Sequence, residues 1–428
     1  MGIRRRSALP PRLPVERAYA LWCLPNGITV LSEQIPSAYS VVLGIWVLAG
    51  SRDENPSYNG VAHLLEHLVA GSSQRYSAYQ LAIAFEKLGA EINAYTTKEL
   101  TCYYVQTLRT SFHRVLELLV EQLLHPRYSP RLLERERRII SEELLSYADD
   151  PEETLYEHAE RLLFGDHPLS LPITGTRETL ERISPEVVAD FHSRFYVGER
   201  ILVGVTGNIS PEEVFTAISS ALASIPSIRV PLPRRTPPRL QSGGELTLYC
   251  PFHQGYITAA RLLPKLSSQE RAALALLNFL LAEGWSSRLY QRIRERYGLA
   301  YHITSELEWF SDCGMWSITA SGSPSGLARI EQLISSELQH LVQEGIRPSE
   351  FSRGRNFLRA RLAMLLDNPA DSLAALARAI LLDDGHEPFP HVFQSLESLS
   401  HEHVNLLAAR YCSPEQWSTI RLLPKGHA

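Results

Sequence analysis

The five residues His63-Leu64-Leu65-Glu66-His67 set two imidazoles and a carboxylate at spacings that can do chemistry. On a helix, His63 and His67 lie one turn apart on one face, where two ring nitrogens can share a metal ion. Glu66 stands beside them, three residues from His63, within reach of a water on that ion. The order inverts the His-Glu-x-x-His zinc motif and points to hydrolysis with Glu66 as general base.

A catalytic zinc normally takes three protein ligands and keeps a fourth position open, so a third donor must come from another element. The stretch "RLLERERRIISEELLSY", from Arg131 to Tyr147, offers Glu134, Glu136, Glu142 and Glu143. Glu142 falls with Arg135 and Arg138 on a solvated ion-pair stripe. Glu136 and Glu143, two turns apart, flank Ile139 and Ile140 and are expected to face the core side. An inward carboxylate needs a cation. Glu143 is assigned as the third ligand to one Zn2+ per chain, and Glu136 as the group that orients a histidine or the water. An ordinary salt bridge is the other role open to Glu136. A purely structural zinc site is disfavoured, because such sites favour four cysteine or histidine ligands and leave no open position.

The surrounding elements must hold these groups in place. Tyr19 to Gly50 reads as two or three strands with a turn at Asn26-Gly27, and the motif helix is expected over Gly60 to Val69. A helix over Ala78 to Leu88 stops at Gly89. "EINAYTT" and "TCYYVQTL" form a hairpin turned at Lys98-Glu99. Helices follow at Phe112 to Leu124, Pro130 to Tyr147, Glu152 to Phe164 and Pro185 to Phe195, then the strand "ERILVGVTG" and a helix near Pro211.

Proline-rich sequence without a hydrophobic period then separates two similar halves. "HLLEHLVAGSS" from His63 aligns with "ALLNFLLAEGWSS" from Ala275, and "DDPEETL" from Asp149 with "DNPADSL" from Asp367. The expected division is a tail at 1–14, a zinc-binding α+β domain at 15–225, a linker at 226–244 and a homologous domain at 245–428. In the second copy Ala275, Asn278 and Phe279 replace His63, Glu66 and His67, so one domain carries the metal and the other does not.

With 428 residues, 44% apolar and 21% charged, the composition is that of a globular protein of two or three domains. A net charge of -5 argues against nucleic acid as main partner. Five scattered cysteines without a Cys-x-x-Cys pair suit a reducing compartment, and a cytoplasmic location is expected ahead of an organelle matrix. Arg4-Arg5-Arg6 has no apolar stretch behind it, and the run Val41 to Ala49 is too short to span a bilayer, so no membrane association is expected.

At this point the chain resembles the pitrilysin/insulinase family of zinc peptidases, in its mitochondrial-processing-peptidase-like branch. The resemblance covers nearly the whole chain and rests on His-x-x-Glu-His, "INAYT" with Glu99, "ERERRIISEE", "HPLSLPITGT" and "SSRLYQRIRERYGLAY". The interval from His67 to Glu143 matches the family's spacing for its third ligand. The resemblance implies two α+β domains, each a mainly antiparallel sheet packed with helices, forming half of a clamshell. It implies a zinc-dependent endopeptidase for unfolded or extended peptides, in precursor or leader processing or in peptide clearance, with Glu136 needed for activity. Asn93, Ala94 and Tyr95, with Glu99, would bind a peptide as an added β-strand. Arg294 and Tyr301 would hold substrate, the Tyr301 hydroxyl donating to the developing oxyanion. Both sets on one chain imply a homodimer with sites completed in trans, a heterodimer being the other arrangement. The chain departs from the family at Ala70-Gly71-Ser72-Ser73, where Phe-x-Gly-Thr is common, and at "LLAEGWSSRL" with Glu283 and Trp285; both are expected to line the cleft. The competing reading is a non-catalytic peptide-binding or scaffold subunit. Inactive relatives usually lack a motif residue, and none is missing here.

Overall fold

The uninterrupted apolar runs "SVVLGIWV" and "ILVGVTG" demand strands covered on both faces, and the computed structural model places them at the centre of a sheet. It describes residues 4–6, 19–226, 235–239, 243–382 and 388–426. Much of the expected 1–14 tail and 226–244 linker lies outside these residues. The first sheet contains β1 (Arg4–Arg6), β2 (Tyr19–Cys23), β3 (Thr29–Gln34), β4 (Ser40–Val47), β5 (Glu91–Thr96), β6 (Thr101–Leu108) and β7 (Ile201–Gly207). Their order is β1-β2-β3-β7-β4-β6-β5, antiparallel except for β3 with β7. The second sheet contains β8 (Glu245–Cys250), β9 (Gly255–Pro264), β10 (Ala300–Trp309), β11 (Cys313–Gly322) and β12 (Ser418–Pro424), in the order β10-β11-β9-β12-β8. Here too one pair, β12 with β8, is parallel. Order and sense match β5-β6-β4-β7-β3 strand for strand, the pattern a duplication produces.

Helices α1 (Val61–Gly71), α2 (Pro130–Ala148), α3 (Pro151–Phe164), α4 (Ser268–Asn278) and α5 (Pro369–Leu382) bear on the site. The two compact units are not contiguous. One comprises 1–144, 171–234 and 365–390; the other comprises 145–170, 235–364 and 391–428. A cut at the linker, as expected from the sequence, therefore leaves each sheet without one of its helices. α3 belongs with the second unit, where Leu155, Ala159 and Leu163 pack with Ala260, Leu262, Met315, Ile420 and Leu422. α5 lies against β4 and β7 of the first, and Gly204 of β7 admits it: a Cβ there would stand 2.8 Å from Leu373 Cδ1. Each exchanged helix starts at the same landmark. Asp150 accepts from the Glu152 N–H at 2.8 Å and Asn368 from the Ala370 N–H at 3.0 Å. Among the described residues no helix is long and apolar enough to cross a membrane.

Candidate active site

α1 starts at Gly60, whose φ of +97° lies in the left-handed region and whose missing Cβ would stand 2.7 Å from the Thr174 carbonyl oxygen. The first amides of a helix have no partner within it. Glu54 supplies one: its carboxylate accepts from the Gly60 and Ala62 N–H groups and from Asn59 Nδ2, each at 2.7 Å. Burial pushes this carboxyl up to about 8, while those three donors pull it down. Asn59 Nδ2 also donates to the Pro172 carbonyl at 2.9 Å, and Lys98 Nζ to that of Leu171 at 2.8 Å. The segment Leu171 to Gly175 is thereby clamped beneath the motif helix. Glu54 belongs to no motif, and its one signal in the sequence is the acidic pair Asp53-Glu54 ahead of a helix start.

His63 and His67 project from α1 toward α2, their rings 4.6 Å apart. Glu143 Oε2 lies 3.7 Å from His63 Nε2 and 3.9 Å from His67 Nε2. These separations are too long for hydrogen bonds. They suit donors around a common ion, since ligands about 2.1 Å from a tetrahedral metal stand about 3.4 Å apart. His63, His67 and Glu143 are the one group of three or more such donors that could hold a metal among the described residues, their ligand atoms lying within 4.8 Å of one another. Burial, followed by the neighbouring His67, pushes His63 down to about 4, which keeps that imidazole neutral as a metal ligand requires. His67 moves the other way: burial opposes protonation, but Glu136, Glu66 and Glu143 together raise it.

Glu136 is buried, and its Oε2 lies 3.4 Å from His67 Nδ1, leaving Nε2 for the ion. Its Oε1 accepts from Arg135 Nε at 2.9 Å and Nη2 at 2.6 Å. Burial raises this carboxyl, yet His67 and Arg135 hold it below the usual range. Arg135, expected on the solvated stripe with Glu142, thus turns back to its neighbour. The inward face of α2 is Glu136, Ile140 and Glu143, whereas Ile139 is 47% exposed. Glu66 is buried and accepts from Thr96 Oγ1 at 2.6 Å. Burial is the main cause that raises its carboxyl above the ordinary range.

Thr96 ends β5, which is the last strand of its sheet. The Thr97 N–H bonds to the Leu100 carbonyl at 2.7 Å, so the antiparallel alternation turns the backbone groups of Ile92, Ala94 and Thr96 away from β6. The Ala94 N–H meets Asn93 Oδ1 at 2.8 Å instead of a ladder partner. Tyr95 accepts from Trp46 Nε1 at 3.1 Å. Glu99, expected beside them as a peptide contact, is 2% exposed and bound to Arg52 Nη1 at 2.8 Å. It anchors the hairpin turn from within. Ser72 and Ser73 of the first departure are also buried, Ser73 Oγ accepting from the Arg75 and Tyr76 amides, whereas Ala70 is exposed.

Residues 29–177 match the family model described as insulinase, peptidase family M16, and residues 182–358 match the one described as the peptidase M16 inactive domain. An uncharacterised zinc protease of Mycobacterium leprae is 34% identical over 388 residues, 90% of this chain and 87% of that protein. The chain belongs to peptidase family M16. An uncharacterised zinc protease of Bacillus subtilis is 27% identical over 405 residues, covering 94% and 97% of the two chains. Among solved structures, a protease from Helicobacter pylori superposes with a TM-score of 0.90 at 22% identity, covering 96% of this chain and all of that one. The M16 inactive domain from Pseudomonas fluorescens gives 0.88 at 18%, covering 96% and 99%. At these identities the two structures establish the fold.

In the M16 chain's second unit, the positions that answer to the metal motif are closed. Asn278 Oδ1 accepts from Trp316 Nε1 at 2.8 Å and Ser305 Oγ at 2.5 Å, while its Nδ2 donates to Glu283 Oε2 at 3.1 Å. Phe279 stacks on Phe357 with ring centroids 4.0 Å apart. Glu283 also pairs with Arg361, and Trp285 is 84% exposed. Arg294 lies over the rings of Tyr290 and Tyr301, at 4.8 and 4.9 Å. Tyr301 is 83% exposed, its ring on the surface beside the guanidinium.

Proposed function

We propose that this M16 chain is a zinc-dependent endopeptidase of the processing-peptidase-like branch, cleaving unfolded or extended peptides. The observation that carries the reading is the convergence of His63 Nε2, His67 Nε2 and Glu143 Oε2, with Glu66 in electrostatic reach of both His67 and Glu143. These three donors would hold one Zn2+ per chain, which when bound supplies a Lewis acid and acidifies water. Glu136 fixes the ring of His67 so that Nε2 faces the site. Glu66 takes the proton of the attacking water and delivers it to the leaving amine, and the Thr96 hydroxyl orients the carboxylate for that transfer. The peptide adds to β5 as a further strand, pairing with the outward groups of Ile92, Ala94 and Thr96. Arg294 and Tyr301 contact the peptide in a homodimer, with Tyr301 Oη donating to the oxyanion. Substrates are chosen by extendedness, as suits leader processing or peptide clearance.

The test is Glu66→Gln in the purified full chain. Zinc content should stay at the wild-type level, and chelator-sensitive cleavage of unstructured peptides should fall by about 10²–10⁴-fold, the range for loss of a general base. Wild-type turnover in this variant would refute the assignment. Light scattering checks the dimer.

A further inference from the structure

β8 is the last strand of the second sheet, and β12 is its one partner strand among the described residues. The pairing is parallel, with the Thr419 N–H on the Gly244 carbonyl at 2.8 Å and the Lys425 N–H on that of Cys250 at 3.1 Å. Alternate residues of a strand serve one neighbour, so Gly244, Leu246, Leu248 and Cys250 bond to β12. Glu245, Thr247 and Tyr249 turn their N–H and C=O groups outward. All three are exposed, Tyr249 by 45%.

An open edge is normally protected by lysine, proline, a bulge, inward charges or a covering element. The opposite edge follows that rule: β10 shifts register between Ala300 and His302 and carries Glu306 and Glu308. β8 reads "ELTLYC", without proline or lysine and without a break in register. Its one charge, Glu245, is met by Arg421 Nη1 at 3.0 Å. Leu246, Leu248 and Cys250 pack on the apolar cluster that includes α3, which holds the strand from one face. The first sheet shows what such an edge receives. There β3 stands where β8 stands, and β2 lies antiparallel along it, Leu21 opposite Leu31. Among the described residues the second sheet has no strand in that place.

We propose that β8 pairs antiparallel with β8 of a second copy of this chain, about a two-fold axis through Thr247. Outward residues must meet outward residues, and only the register centred on Thr247 engages all three. Thr247 then faces its twin, and each Glu245 faces a Tyr249. The strand is complementary to itself in this register. The two Glu245 carboxylates are kept apart, and each stands beside a tyrosine hydroxyl able to donate to it. On the other face Leu246 meets Leu248, which joins the apolar layers of the two copies. β8 and β10 are opposite edges of one sheet, so this contact leaves Arg294 and Tyr301 open to the copy that a site completed in trans requires. The two contacts are independent, and together they build a tetramer.

The experiment is light scattering of the purified full chain at about 50 μM, above the micromolar affinity typical of a small interface. Thr247→Pro deletes an outward N–H and no bond to β12, so its unfolding temperature should stay near that of the wild type while its mass falls twofold. An unchanged mass overturns the proposal, as does a wild type of one chain. Thr247→Cys gives a second reading with the strand intact. Twin Cα atoms of a bonded antiparallel pair stand about 5.5 Å apart, inside the disulfide range, so mild oxidation should link two chains. The Glu245 twins stand roughly 13 Å apart, and Glu245→Cys should link no more than the wild type does through its own cysteines. Equal linkage in the two variants overturns the register. Hydrogen exchange identifies the occupant: protection of the Thr247 amide should be lost on dilution, and protection that survives dilution would mean that the chain closes this edge itself, which overturns the proposal as well.

Discussion

Replacing Glu136 with glutamine should weaken zinc binding about tenfold while leaving all three ligating side chains in place. Groups that hold a ligating histidine are commonly worth 10- to 100-fold in metal affinity or activity. Two features put Glu136 at the low end. Its contact with His67 Nδ1 is long, at 3.4 Å, and its other oxygen is held by Arg135 at 2.6 and 2.9 Å. A tenfold loss corresponds to ~1.4 kcal/mol. Glu143→Gln removes a charged donor and should cost on the order of 3–5 kcal/mol, as when one member of a buried ionic set is deleted. Arg135→Gln has the opposite sign: Glu136, released from the guanidinium, is free to serve His67, and affinity should rise. Glu142→Gln, on the exposed side of α2, is the control. The assay is competition of ligand-free full chain against a fluorescent zinc chelator at neutral pH. If Glu136→Gln binds zinc as tightly as Glu142→Gln, the role given to Glu136 is wrong.

Glu54→Gln puts an amide where three donors converge, and urea unfolding should show a loss of about 2–3 kcal/mol, since a buried donor is left unmatched. Ala94→Pro deletes an outward N–H and no ladder bond, so the fold should survive while KM for extended peptides rises. An unchanged KM would remove β5 as the peptide's partner strand. Glu350 is half-buried against Arg288, with contacts of 3.0 and 2.8 Å. Burial raises its carboxyl, but Arg288 and the Arg347 amide outweigh burial and hold it below the ordinary value of 4.5. Its stabilisation is therefore complete above pH 4.5 and lost as pH falls through the lower folded value. Glu350→Gln should be less stable at neutral pH, and its stability should decline less steeply below pH 4.5 in acid titrations of unfolding.

The parts of this molecule legible in sequence are those where local pattern and tertiary demand coincide. β4 and β7 are mostly apolar because both faces are covered, and α1 must carry His63 and His67 on one face because a helix turns once in 3.6 residues. The same periodicity brings Glu143 inward, but periodicity describes Cα directions and not rotamers. It could not show Arg135 folding back onto its neighbour Glu136, or Ile139 left outside. Glu99, named as a peptide contact through the resemblance, is buried against Arg52, 47 positions away, a pairing that no local pattern shows. The exchange of α3 and α5 was the least legible feature. The stripe Leu155, Ala159, Leu163 announces that α3 packs on something apolar, yet its own half already contains a sheet with an equally apolar face. Gly204 leaves room on β7 for Leu373 of α5, and the first sheet takes the helix from the later half. The matching α3 must then find its place on β9 and β12. Duplication makes such a trade available, because either helix presents much the same apolar face to either sheet. Leu155 and Leu373 stand at the same place after the shared Asp-x-Pro landmark, so the sequence of either half alone leaves both arrangements open.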